Sequence, residues 1–304
     1  MFQSIVDDIK RELATGNILT RLVIINVGVF FLINVVWFVL KMANAGSVPS
    51  LYYDFLHFFS VSSSIMHNIT HPWVFVTSIF LHQGFWHLLW NMLFLYWFGR
   101  IVADLIGEQK ILPLYLLGGI AGCIFFWSGA QLINYNGFAL GASAGVMAIV
   151  MTAGMIAPDY NMRLLLIGDV KLKYIVAVLI LVDIFGLASD YNTGGHFAHL
   201  GGVVMGWLFV LQLREGNDWS EGINHLLKKI SDFFTEPKKP VRTRTMAKER
   251  TLVVKKHYKK NRTELSEDEV EERIDLILDK IKAKGYESLT NEEKDFLNNA
   301  SSSK

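Results

Sequence analysis

Six apolar runs, with few or no charges in each, set the plan of the chain up to about Leu213: residues 19 to 40, 84 to 102, 111 to 130, 142 to 157, 174 to 188 and 194 to 213. A helix rises about 1.5 Å per residue and a hydrocarbon core is about 30 Å thick, so each run reads as a membrane span. The fourth, which ends at Pro158, covers only about 20 Å as a helix. Such short spans suit a bundle that encloses a wet cavity or thins the lipid around it. Beyond Leu213 the pattern changes. Residues from Lys228 to Arg262 are dense in basic side chains and include Pro237 and Pro240, which reads as a juxtamembrane linker. Farther on, Val270, Ile274, Leu276, Ile277 and Ile281 recur near helical period before Gly285. Ser266 to Glu269 and Thr290 to Glu293 have capping-box spacing. The expected fold is therefore all-α and polytopic, with a small helical tail. Its parts are an amphipathic segment over 1–18, a membrane domain over 19–213, a basic linker over 214–262 and a helical tail over 263–304.

Composition agrees with this plan. The chain is 52% apolar with a net charge of +1, and its charge is concentrated after Leu213. Membrane lipid is thus a partner, the basic linker reads as a solvated segment or as one that touches anionic headgroups, the first being favoured slightly, and no nucleic-acid partner is expected. The single cysteine, Cys123, excludes an intrachain disulfide or a cysteine-based metal site. Met1 to Gly16, with Asp7, Asp8, Lys10, Arg11 and Glu12, lacks a signal-peptide pattern, so the first span is expected to direct insertion.

Lysine and arginine placement sets the orientation. Lys10, Arg11 and Arg21 mark the N-terminus, Arg100 and Lys110 the second loop, and Arg163, Lys171 and Lys173 the fourth. The first, third and fifth loops hold only Lys41. Both termini are expected to be cytoplasmic, and spans two, four and six run from outside to inside. The first loop, 41 to 83, carries the aromatic run from Leu51 to Phe59, which reads as an interfacial element or a loop packed on the helix ends.

This orientation brings several polar side chains to one depth near the outer face. His87 and Asn91 share a face in the first turns of span two. Ser143 opens span four, and His199 lies about a turn into span six. Polar groups in spans are costly, so they are functional candidates. Gly195, His199, Gly202 and Gly206 form one stripe, and the small-xxx-small pair Gly202 and Gly206 allows span four, opened by Gly141, Ala142, Ala144 and Gly145, to approach closely. A serine hydroxyl needs a base, and an imidazole suits that role and then protonates the leaving amine. The oxyanion formed needs preplaced donors, which the Ser143 N–H, the Asn91 amide and the His87 ring can supply. Asp183 is the one acid well inside a span near this depth, and it is read as a hydrogen-bonding residue of the bundle rather than a catalytic one.

In His82-x4-His87-x3-Asn91, Gly141-x-Ser143 and Ala198-His199-x2-Gly202-x3-Gly206, the chain resembles the rhomboid family of intramembrane serine proteases. The resemblance covers about residues 19 to 213. It implies a six-helix bundle, a Ser143 and His199 dyad with no cofactor, an oxyanion site at His87 and Asn91, and a loop-ordering role for His82. It also implies transmembrane protein substrates that enter sideways past span five and the loop from Ser189 to Gly194. The basic linker and helical end resemble the tail of some bacterial rhomboids, which implies a bacterial cytoplasmic membrane; the lysine and arginine placement has the site opening outward, and the tail is read as a partner or regulatory module on the cytoplasmic side. Three positions depart from the family pattern: Ala144 follows the serine in place of glycine, Met147 stands where a tyrosine is common, and Val74 follows Trp73 in place of arginine.

Other readings stay open. A histidine-based metal or haem protein would bring His196 and His199 together with His82 and His87, although no His-Glu-x-x-His occurs and no carboxylate accompanies the set. A transporter would suit six spans and a wet cavity, but paired broken helices or matching halves are not evident. An inactive relative of the family is the remaining alternative.

Overall fold

The computed structural model describes residues 9–10, 12–13, 16–164, 168–189, 192–234 and 267–301. Asp7, Asp8, Arg11, Pro237, Pro240 and Ser266 fall outside them, as do the expectations placed there. The chain divides into two compact units, Met1–Ser231 and Asp232–Lys304.

The first helix, α1 (Ile18–Ala43), starts at Asn17, whose side chain accepts from the Thr20 N–H. It is the most lipid-like of the helices: Phe31, Leu32, Val35, Phe38 and Val39 are all exposed. The long connection that follows is structured. It contains α2 (Ser50–Phe58), a two-residue strand β1 (Val61–Ser62), α3 (Ile65–Thr70) and α4 (Val74–Thr77). Tyr52 and Leu56 of α2 pack on Ile33 and Leu81, so the aromatic run is an amphipathic helix with one face on the bundle. Val74 is fully buried beside Val61, Cys123 and Phe126. An apolar plug therefore holds the loop where the family pattern has arginine, and the Trp73 indole N–H adds a hydrogen bond of 2.8 Å to the Phe58 carbonyl.

Five more long helices follow: α5 (Phe85–Ile106), α6 (Ile111–Leu132), α7 (Ser143–Ile156), α8 (Leu172–Gly186) and α9 (Thr193–Arg214). They coincide with the apolar runs to within a few residues. Four of the helices, α1, α5, α6 with the turn before it, and α9, are long and apolar enough to cross a membrane, and α7 is a shorter apolar helix. The chain is an all-α, multi-pass membrane protein. Nine of the 14 residues of α7 are buried, which makes this short helix the centre of the bundle rather than a lipid-facing one. Its Val146, Ile149, Val150 and Ala153 share a core with Leu95 and Phe98 of α5, Leu114 and Tyr115 of α6, and Phe209 of α9. Tyr115 also fastens three elements through one hydroxyl, which donates to the Ile79 carbonyl at 3.1 Å and receives the Asn26 amide at 3.2 Å.

A glycine stripe explains how α7 fits. A Cβ added at Gly202 would overlap the Ala144 carbonyl oxygen, and one at Gly206 would overlap that of Ala148. The missing side chains let α9 lie backbone to backbone on α7. Gly141, grouped with these glycines on the sequence, does something else. It precedes α7 with φ 134°, a region that side chains rarely adopt, and faces the His87 ring of α5 rather than the backbone of a packed helix.

After α9 the chain does not go straight into a linker. Residues Trp219–Phe234 form a helix, α10, whose exposed Leu226 and Ile230 share a stripe near helical period. Basic composition masked this periodicity on the sequence. Lys110 pairs with Asp218, and the Asn224 amide donates to the Gln109 carbonyl at 3.0 Å, so α10 begins against the second loop. The second unit contains α11 (Glu267–Lys284) and α12 (Asn291–Ser301). Thr290 and Glu293 form a reciprocal capping box, with Glu293 accepting from the Thr290 N–H at 2.6 Å. Ile277, Leu289 and Phe296 form its core, joined by Val270, Ile274, Ile281 and Leu297; Leu276 is not part of it.

Candidate active site

Ser143 is the first residue of α7, and the segment that delivers it is pinned at two successive amides. The Gly141 N–H donates to the Ser78 carbonyl at 2.9 Å, and the Ala142 N–H donates to His82 Nε2 at 3.3 Å. His82, expected from the resemblance to order the first loop, thus also holds the end of the third. Its ring is fully buried, and Nδ1 lies beside the Phe80 carbonyl without reaching hydrogen-bond geometry. Burial, followed by the neighbouring His87, lowers its pKa to about 4, so the ring is neutral at physiological pH.

The first bond inside α7 runs from the Val146 N–H to the Ala142 carbonyl at 2.9 Å. The amides of Ser143, Ala144 and Gly145 are therefore left without an acceptor in the helix, at the positive end of its dipole. Opposite them stand the first turns of α5. The His87 ring lies against Gly141 on the side that also faces the Ser143 hydroxyl, and it meets the His82 ring edge-to-face at 5.1 Å. Asn91, one turn on, is buried, and its side-chain amide donates to the His87 carbonyl at 2.8 Å. That contact uses one of its two N–H groups.

Ser143, His87, Asn91, Met147 and His199 all line one cavity of about 350 Å³, together with Trp86 and Asn192. Ser143 and His87 also line a larger one of about 730 Å³ that reaches Ser78, Gly122, Phe126 and Tyr135. Among the described residues, no hydrogen bond joins the Ser143 hydroxyl to His199. The His199 ring is instead engaged through Nδ1, 2.7 Å from Asp183 Oδ1. His196 Nδ1 lies 2.8 Å from the same oxygen. Asp183 thus hydrogen-bonds within the bundle, as expected, and its partners include the base candidate, which the sequence did not specify. Its place in the helix carried a signal: it lies one turn before the C-terminal end of α8, paired with the first turns of α9. Asp183, His196 and His199 are also the residues whose donor atoms converge, within 4.8 Å of one another, among the described residues. A carboxylate thus does accompany His196 and His199, against the expectation from the sequence; the short distances to Oδ1 are those of hydrogen bonds, and His82 and His87 are not among the converging groups.

The architecture and the residues around Ser143 define a polytopic helical membrane protein with a serine and imidazoles lining one pocket of the bundle. Comparison with known proteins makes the class specific. Residues 70–215 match the Rhomboid domain model, and residues 257–303 match a family of unknown function. Rhomboid protein 1, mitochondrial, of Saccharomyces cerevisiae is 32% identical over 139 residues, 44% of this chain and 40% of its own length. A presenilin-associated rhomboid-like protein A, mitochondrial, of Danio rerio is 27% identical over 137 residues, 44% of this chain and 36% of its own. Rhomboid-like protein 11, chloroplastic, of Arabidopsis thaliana is 27% identical over 167 residues, 51% and 58% respectively. The match thus spans less than two thirds of each of these relatives. Through the domain at residues 70–215 the chain belongs to the rhomboid family, which includes intramembrane serine proteases.

Proposed function

We propose that the chain is an intramembrane serine endopeptidase that cleaves single-span membrane proteins in or near their transmembrane segments. The observation that carries this reading is the shared pocket. Ser143 sits at the uncapped N-terminus of the central helix, with His199, His87 and Asn91 lining the same cavity. In the reaction, Ser143 Oγ attacks the peptide carbonyl carbon while its proton passes to His199 Nε2. The C–N bond then breaks as that proton reaches the leaving amine, and water hydrolyses the acyl-enzyme by the reverse transfer. The oxyanion would be met by the Ser143 N–H, the free N–H of Asn91 and the His87 ring, within a water-restricted site where such donors count most.

In the proposed arrangement residues 19–213 carry the protease, both termini are cytoplasmic, and the site opens to the opposite side. The helical end at 263–304 is a module for a cytoplasmic partner. The organellar names of the relatives belong to those proteins, and no particular host membrane is part of the proposal.

The test is cleavage of a reporter single-span protein in proteoliposomes. Ser143→Ala and His199→Ala are expected to abolish it, and Asn91→Ala to lower kcat about 10² to 10³-fold, the usual effect of removing one oxyanion donor. Cleavage that survives Ser143→Ala rejects the mechanism, and an unchanged rate in Asn91→Ala removes that residue from the site.

A further inference from the structure

The outer half of α8 carries a contact that the serine–histidine chemistry alone does not require. This helix buries Leu172 and Val176 in its first two turns, but beyond them its one buried residue is Asp183. Val178, Leu181, Val182, Ile184 and Phe185 around it are exposed. A carboxylate withdrawn from water needs partners, and Asp183 Oδ1 has two, His196 Nδ1 at 2.8 Å and His199 Nδ1 at 2.7 Å. Gly186 makes room for this arrangement, since a Cβ there would overlap the His196 ring. An ionised carboxylate only accepts, so each Nδ1 must bear the proton. In a neutral imidazole that leaves the lone pair on Nε2, the nitrogen available to a serine.

We infer that Asp183 is a positioning residue that fixes the tautomer and plane of His199 for proton transfer from Ser143, with His196 steadying the carboxylate from its second side. The inference rests on the reading of Ser143 and His199 as the reacting pair. When His199 takes the serine proton, it becomes an imidazolium against Asp183, and the contact turns into a charge-assisted hydrogen bond. Asparagine at 183 is nearly the same size but presents a neutral amide, whose N–H₂ favours the opposite tautomer. In serine-histidine-aspartate sites this change lowers kcat about 10⁴-fold.

The experiment compares the full-length wild type with Asp183→Asn, Asp183→Glu and His196→Ala in micelles. Histidine ¹⁵N spectra report the tautomer, and reporter cleavage gives kcat and KM. Expected is an Nδ1–H tautomer for His199 in the wild type that is lost in Asp183→Asn, with kcat down about 10² to 10⁴-fold and KM little changed. Asp183→Glu should recover part of kcat, and His196→Ala should keep the tautomer and lose less than about tenfold, as it removes a steadying contact and no reacting group. A wild-type Nε2–H tautomer, or an Asp183→Asn protein with unchanged tautomer and kcat, overturns the inference. If Asp183→Asn does not fold, Asp183→Glu and His196→Ala decide it, because both must retain the Nδ1–H form. A wild type that shows the tautomer and its loss in Asp183→Asn, yet cleaves nothing, supports the positioning role and rejects the protease reading instead.

Discussion

Along the α7–α9 contact, Gly202 and Gly206 bring the Ala144 and Ala148 carbonyls against the backbone of α9, and hydrogen bonds from the Thr152 hydroxyl to the Gly206 carbonyl at 3.4 Å and from Arg214 to the Met155 carbonyl at 2.8 Å add to this close packing. Along the α8–α9 contact the outer half is held by one carboxylate shared between two imidazoles, while the apolar side chains of α8 face outward. Ser143 and His199 therefore depend on different kinds of support. The proposed nucleophile stands on a close-packed frame that has little room to adjust. The proposed base stands on the same helix frame, but its ring is held by a polar contact from α8. Backbone packing fixes where Ser143 is; hydrogen bonding fixes what His199 can do.

The frame should be the more fragile of the two toward bulk. Gly202→Leu would force α9 off Ala144, and overpacking of this kind typically costs about 1 to 3 kcal/mol, occasionally more. It should also lower the reactivity of Ser143 more than 100-fold, since misplacement by about 1 Å costs about that much. Thermal melting and fluorophosphonate labelling check the two effects, and a Gly202→Leu protein with normal labelling would show that the contact is not the frame.

The loop that leads into α7 sharpens the contrast through pH. His82 has its folded pKa lowered to about 4, below the unfolded value of about 6.5. The unfolded chain therefore binds more protons between these values, and stability is full above about pH 6.5 and falls as pH drops toward 4. The loss is on the order of 3 kcal/mol by pH 4, from about 1.4 kcal/mol per unit. Melting curves between pH 4 and 7 should show this decline in the wild type and a flatter profile in His82→Gln, which keeps an acceptor for the Ala142 N–H but does not titrate. Equal slopes would remove His82 as the cause.

The smallest effect is expected on the outer face of α8. Phe185 is 72% exposed, so Phe185→Ala should change stability in a fixed detergent by no more than about 0.5 kcal/mol. A larger loss would mean that this face is packed and that Asp183 is not its main anchor.

Much of this plan is written in the chain. Apolar runs bounded by charge locate the six long helices, and the small-residue stripe on span six indicates which helix it meets, because both follow from local composition and helical period. The Thr290 to Glu293 cap is equally local. The helix over Trp219–Phe234 was hidden because lysines at 228 and 229 dominate a segment whose apolar residues are spaced for one face. The link between Asp183 and His199 spans two helices, and no spacing rule reaches across them; only their common depth points to it. Gly141 misled for a related reason. Its sequence context reads as helix packing, whereas its positive φ and the His87 ring beside it appear only in three dimensions.

The central claim is that Ser143 is a nucleophile activated in this pocket. Its most direct test is fluorophosphonate treatment of the full-length protein in micelles, with the adduct located by peptide mass spectrometry. The account predicts one adduct, on Ser143, that is absent in Ser143→Ala and strongly slowed in His199→Ala. An adduct elsewhere, or labelling of Ser143 that proceeds equally well without His199, would contradict it.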